Sequence, residues 1–231
     1  MRPQRPLAGD EGDTPVHKAG RALDLGHRWL RLGVGLGVFA LGLALMVRAE
    51  LGLSSWDVLH DALRVITPLT LGKAVIGVSI IVVLASLALG IKPGPGTVAN
   101  VLLIGAFTDA LLASTVAADL GSSNLGLRLG ALGGGVAAIA FGTALYIGAN
   151  LGAGPRDSLM LAVGQRGGVS PGAARAGIEL SVLVIGVALG GSAGIGTVVF
   201  AVLIGPAINL SFRSIGMETA PRARSHMGGE I

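Results

Sequence analysis

The chain has 231 residues, 52% of them hydrophobic and 13% charged, with a mean hydropathy of +0.75. Soluble domains carry roughly 25% charged residues, so this composition excludes an ordinary globular protein and points to the membrane. With no cysteine there are no disulfides, cysteine-ligated metals or thiol chemistry, and a net charge of +4 spread over tails and loops gives no nucleic-acid face.

Residues 1–28 are polar, mix both charges and include Pro3, Pro6 and Pro15. They lack the apolar core of a signal peptide and are expected to form a disordered cytoplasmic tail. A first span is predicted from Arg31 to Val47, with Trp29 as an interfacial anchor and Gly33, Gly35, Gly37 and Gly42 giving small faces for close helix packing. A break at Gly52 precedes a short helix, Ser55 to Ile66, opened by the capping-box spacing Ser54-x-x-Asp57. Trp56, Leu59, Leu63 and Ile66 share one face of it, and Asp57, His60, Asp61 and Arg64 the other. Such a segment is too short and too polar to cross a bilayer, so it is expected to be interfacial or re-entrant. Spans from Leu71 to Ile91 and from Thr97 to Ala117 follow, the second opened by the Gly96-Thr97 turn.

After the polar stretch Asp119–Asn124 the pattern returns at a fixed offset of one hundred residues. Leu51-Gly52 comes back as Leu151-Gly152, Asp57 as Asp157, Gly96-Thr97 as Gly196-Thr197, and Leu103-Ile104-Gly105 as Leu203-Ile204-Gly205. Residues 31–112 and 131–212 agree at about a third of positions without a gap, which indicates a duplicated membrane unit. The second unit is predicted to hold spans at Leu129–Ile147, Gly172–Leu189 and Thr197–Phe212, with a short helix from Arg156 to Val163 that is shorter and more apolar than its partner. The expected organisation is a tail (1–28), repeat one (29–117), a linker (118–127), repeat two (128–212) and a second cytoplasmic tail (213–231).

The fold expected is an all-α integral membrane protein of six transmembrane helices and two short broken or re-entrant helices. Three spans per unit would invert one copy relative to the other; the alternative is eight spans with parallel repeats. Both arrangements place the two termini in the cytoplasm by the positive-inside rule.

Charges within or beside spans are costly unless paired or hydrated, which makes them the candidate site residues. Asp57 and Asp157 recur at equivalent places, either as ion sites beside a broken helix or as first-turn carboxylates complementing the helix dipole. Arg156 stands where repeat one has Trp56. It is expected to bind an anionic group, to pair with Asp157 or Glu179, or to reach the headgroups. Glu179 lies mid-span with Arg175 one turn earlier as its natural partner, and Asp109 has Asn209 as its counterpart. His60, beside Asp61, reads as a solvated interfacial histidine or a group titrating near neutrality. Gly52, Gly152, Gly96, Thr97, Gly196 and Thr197 are expected to be structural turns; they fit neither a Walker loop nor a dinucleotide fingerprint. No catalytic triad or metal motif can be assembled, so no enzyme activity, cofactor or metal is expected.

Two stretches carry a family resemblance. Residues 48–60, centred on Gly52-Leu53-Ser54-Ser55-Trp56-Asp57, and residues 146–160, centred on Gly152-Ala153-Gly154-Pro155-Arg156-Asp157, resemble hallmarks of the YczE branch of the YczE/YyaS/YitT bacterial membrane proteins. Ser55 departs from that pattern, which often has proline there, and this loosens the expected helix start. The resemblance covers residues 30–212 and implies a polytopic bacterial inner-membrane protein, without carrying over an established activity.

The functional expectation is a transporter- or permease-like protein for a small solute or ion, with its site where the two units meet. The alternative is a non-transporting scaffold that assists another membrane or biosynthetic protein. The expected partners are the lipid bilayer, a small solute or ion, and either a second copy of the chain or a membrane partner protein, with no nucleic acid. The six-span reading places the linker outside: in this cysteine-free chain, Ser122→Cys should be labelled in intact cells by a membrane-impermeant maleimide. Labelling only after permeabilisation would instead make the first short helix a span.

Overall fold

The computed structural model describes residues 15–115 and 117–216, and all regular structure among them is helical. Eight α-helices follow in order: α1 (Pro15–Ala49), α2 (Ser55–Ile66), α3 (Leu71–Ala88), α4 (Pro95–Ala113), α5 (Leu125–Gly148), α6 (Pro155–Gly167), α7 (Pro171–Ala188) and α8 (Ile195–Ser214), with a single 3-10 turn, Ala118–Leu120, between the halves. Their starts are set by local chemistry. The side chains of Ser54, Thr70, Asn124 and Ser170 accept bonds from the backbone three residues on, and α4, α6 and α7 carry proline in their first turn, where no amide hydrogen is needed.

Three boundaries differ from expectation. α1 begins at Pro15, inside the stretch expected to be a disordered tail; residues 1–14 and 217–231 lie outside the described residues. α6 is not shorter than α2, with 13 residues against 12, because the helix runs on until Gly168 turns it off in the left-handed conformation at φ 62°. Finally, α4 and α8 start two residues before their threonines. Thr97 and Thr197 therefore sit inside the first turn, where each hydroxyl accepts the N–H of the capping glycine, Gly94 or Gly194, at 3.1 Å.

Five helices are long and apolar enough to cross a bilayer: Asp24–Ala49 within α1, α3, α4, α5 and α8. The α6–α7 pair, bent by 119° at its break, is apolar enough to add a sixth only if the two helices are counted as one broken span; the same geometry fits a re-entrant loop. Large apolar side chains such as Ile81, Leu84, Val202 and Leu210 are more than half exposed, an arrangement suited to lipid and not to water. α2 behaves differently. Its Asp57, His60 and Asp61 are buried within the protein while Val65 and Ile66 are exposed, so its polar face is turned inward. This overturns the solvated reading of His60.

The centre of the bundle is the crossing of α1 and α5, where Leu32, Leu36, Leu43 and Met46 pack with Leu132, Val136 and Ile139. Glycines permit the approach. A Cβ on Gly35 would stand 2.9 Å from the Gly142 carbonyl oxygen, and one on Gly42 would stand 2.6 Å from that of Gly135. Numbers rise along α1 as they fall along α5, so the two helices are antiparallel. The hundred-residue offset superposes these two helices, so this one pair of matched segments runs in opposite directions.

Each short helix packs on the other half, α2 against α7 and α6 against α3. The breaks that precede them are held the same way. Gly52 and Gly152 adopt φ of 118° and 132°, and the preceding carbonyls of Leu51 and Leu151 accept the N–H of Gly196 (2.7 Å) and Gly96 (2.8 Å) from the opposite half. Arg28 Nε donates to the Ala149 carbonyl and Arg128 Nε to that of Ala49, both at 2.8 Å, so the carbonyls at the end of each central helix are capped by a guanidinium of the other, from the first turn of α5 and from near the start of the membrane-length part of α1.

Gly52→Ala should be among the most damaging small substitutions. It forces a positive φ on a residue with a Cβ, and that Cβ would lie 2.7 Å from the Gly194 nitrogen. A loss of about 2 kcal/mol or more is expected in detergent-solubilised protein, whereas Gly133→Ala, with open space around it, should leave the unfolding temperature nearly unchanged.

Candidate functional site

The two short helices begin close to one another inside the bundle, and their first turns line a cavity of about 220 Å³ together with residues from α1, α3, α4, α5, α7 and α8. Four of the five charged residues singled out from the sequence, Asp57, Arg156, Asp157 and Glu179, are on its wall, joined by Arg175. Asp109 is not. Its carboxylate accepts the Thr70 hydroxyl (2.5 Å) and the Gly72 N–H (2.8 Å), which makes it a clamp between α4 and the start of α3, away from the cavity.

Asp57 is almost wholly buried and fully partnered. The Ser54 hydroxyl donates to one carboxylate oxygen, while the other meets His60 Nδ1 at 3.1 Å and Arg156 at 3.3 Å. Arg156 therefore pairs across the two halves, not with Asp157, Glu179 or the headgroups, and its guanidinium lies over the Trp56 ring at 5.2 Å from the centroid. The residue that replaces Trp56 in the second half thus stacks on Trp56 itself. Asp61, also buried, accepts from the Ser192 backbone at 3.1 Å and pairs with Arg64 at 2.7 Å.

Asp157 sits in the equivalent first turn of α6 and has a different environment. Its polar contact is the Tyr146 hydroxyl, which donates at 3.2 Å, and no ion pair reaches it among the described residues. Glu179 makes the expected pair with Arg175 at 2.9 Å, one turn apart on α7. Apolar groups complete the wall, chiefly Phe39, Ile139, Met160, Phe200 and Ile204. No group of three or more His, Asp or Glu side chains able to hold a metal occurs among the described residues.

The six predicted turn residues form the clasp between halves: Gly52 against Gly194 and Thr197, Gly152 against Gly94 and Thr97, with the Thr97 hydroxyl donating to the Ala153 carbonyl at 2.7 Å. Sequence reasoning missed Arg28 and Arg128, the burial of His60 and the part played by Tyr146. The arginine pair was within reach, since Arg28 and Arg128 obey the same hundred-residue offset just outside the stretch compared.

A charged cavity among apolar, membrane-length helices defines a polytopic membrane protein with a polar site between its helices. The chain belongs to the family of unknown function DUF6198, which it matches over residues 26–213. It is 34% identical to the uncharacterized membrane protein YczE of Bacillus subtilis over 186 residues, 80% of this chain and 85% of that protein. An uncharacterized protein of Haemophilus influenzae is 36% identical over 176 residues, 75% of this chain and 78% of the relative. No solved structure matches the chain.

The cross-half Asp57–Arg156 pair should show energetic coupling. Arg156→Gln is expected to cost about 2 kcal/mol, less than the ~3–5 kcal/mol of a fully enclosed pair because Arg156 retains a quarter of its surface exposed. Asp57→Asn with Arg156→Gln should then destabilise by clearly less than the sum of the single changes, as measured by a double-mutant cycle on detergent-solubilised protein.

Proposed function

We propose that the chain is a carrier of a small solute or ion, built from two inverted copies of one membrane unit and working in the bacterial inner membrane with both termini in the cytoplasm. The observation that carries this reading is that two equivalent helix pairs stand in different states. In the first half α3 and α4 are closed: Gly72 and Gly105 touch backbone to backbone, a Cβ on either would collide with the other's carbonyl oxygen, and Asp109 ties α4 to Thr70 and Gly72. In the second half α7 and α8 make no comparable packing; Gly172 and Gly205 have no neighbour within 4 Å of an added Cβ, and Asn209 is exposed. Arg175 and Glu179 from α7 and Phe200, Ile204 and Ile208 from α8 line the cavity, so the loose pair flanks it.

Inverted units that exchange conformations give alternating access: the closed pair opens as the open pair closes, and the central cavity changes sides. The glycines of the closed pair recur as Gly172 and Gly205, with Ser170 and Asn209 in the places of Thr70 and Asp109, so α7 and α8 keep the small residues that the closed form uses.

The reading is tested by the pair Ser170→Cys and Asn209→Cys in the cysteine-free chain. A disulfide requires Cβ atoms about 3.5–4.5 Å apart, which only a closed α7–α8 pair provides. Oxidation in membranes should yield an internal cross-link, and adding Asp109→Ala, which removes the clamp on the first half, should speed its formation. A pair that never cross-links in either background would overturn the exchange.

A further inference from the structure

We infer that the cavity takes a small organic cation of the ammonium type, and that Asp157 is the carboxylate that receives its positive charge; this rests on the carrier reading above and names its substrate class. The inference comes from comparing the two aspartates that the hundred-residue offset superposes. Three groups satisfy Asp57: the Ser54 hydroxyl, the His60 ring one turn on, and the Arg156 guanidinium from the other half. At the three equivalent places around Asp157 stand Gly154, Met160 and Trp56. Gly154 and Met160 have nothing to donate to the carboxylate, and Trp56, whose indole N–H could donate, has that N–H buried without a partner and not bonded to Asp157. The same first-turn position is thus neutralised in one half and left open in the other.

The surroundings agree with a cation. Three carboxylates (Asp57, Asp157, Glu179) face two guanidiniums (Arg156, Arg175) around the cavity, and the guanidiniums are engaged with Asp57 and Glu179. Asp157 is the carboxylate left without an ion pair among the described residues. A charged carboxylate within a membrane protein is costly unless a positive charge joins it. Tyr146, which holds Asp157 in place, also presents its ring to the cavity beside Phe39, and aromatic faces favour alkylammonium groups over compact, strongly hydrated ions. At about 220 Å³ the space is below the range of about 300–1,000 Å³ for drug-sized ligands, which sets an upper limit on the cation.

The experiment is a thermal-unfolding titration of the purified, detergent-solubilised full chain with tetramethylammonium and butylammonium chlorides, against sodium chloride at equal ionic strength and sodium butyrate. The ammonium salts should raise the unfolding temperature in a saturable way while sodium chloride and butyrate do not. Asp157→Asn should weaken the apparent affinity by about tenfold or more. Met160→His keeps the carboxylate but supplies the partner that Asp57 has, so it should weaken binding as well and decides the matter if Asp157→Asn fails to fold. Stabilisation by butyrate alone would overturn the cationic assignment while leaving a ligand-binding carrier. Ammonium binding unchanged in both variants would remove Asp157 from the site. No stabilisation by any of the salts would overturn the inference, and failure of the α7–α8 cross-link would be needed to overturn the carrier reading itself.

Discussion

The carbonyls of Leu51 and Leu151 cannot be left inside the protein without a partner. Each sits where a long helix has just ended and its backbone has left the helical hydrogen-bonding pattern, and an unsatisfied buried peptide group costs about 1–3 kcal/mol. The structure resolves both with one device, a Gly-x-Gly-Thr segment from the opposite half that presents an N–H at 2.7–2.8 Å. Glycine at 52 and 152 is required twice over, by the positive φ and by the approach of the partner strand of backbone. Once these two clasps are made, α2 and α6 are directed inward against the other half, and the cavity forms between their first turns.

That placement explains how polar chemistry is sustained in so apolar a protein. Asp57, His60 and Asp61 would be expensive on a lipid-facing helix; both aspartates take a partner from an element brought close by the clasp, Arg156 from α6 and Ser192 from the loop before α8, and His60 bonds to Asp57. The structure therefore concentrates its ionisable groups where the two halves meet and leaves the outer surfaces of α3, α4, α7 and α8 to apolar side chains. The departures from equivalence between the halves, at positions 54, 60, 109 and 156 and their counterparts, fall at the cavity or at the helix pairs flanking it, while the clasp residues Leu51, Gly52, Gly96 and Thr97 are matched at both ends.

Much of this was legible in the sequence because the physics involved is local or periodic. Span lengths, the capping serine at 54, Pro155 in the first turn of α6 and the i,i+4 spacing of Arg175 and Glu179 all led to the elements and the pair observed. What was not legible depends on which face of α2 meets protein. Its amphipathic pattern is the same for a helix lying in the interface as for one whose polar side is buried, so His60 reads as a solvated interfacial histidine although it is enclosed. The alternatives for Arg156, an anionic group, Asp157 or Glu179, or the headgroups, leave out Asp57, which is 99 residues away and is reached only through the packing of α6 beside α2. Asp109 was polar in both copies, which suggested a common site, whereas its bonds to Thr70 and Gly72 are internal to its own half.

The reciprocal clasp also has a consequence for biosynthesis. The N–H that satisfies Leu51 belongs to Gly196, so the first break emerges from the ribosome long before its partner exists. A nascent chain holding only α1 to α4 has an unclosed turn, a buried-polar helix without its α7 wall, and a glycine face on α1 without α5. Contacts so distant along the chain are slow to form and leave early species exposed. Assembly in the membrane is consequently concluded by the last helix to be made, and a chain that stops before α8 would present the insertion and quality-control machinery with a polar, open-ended half.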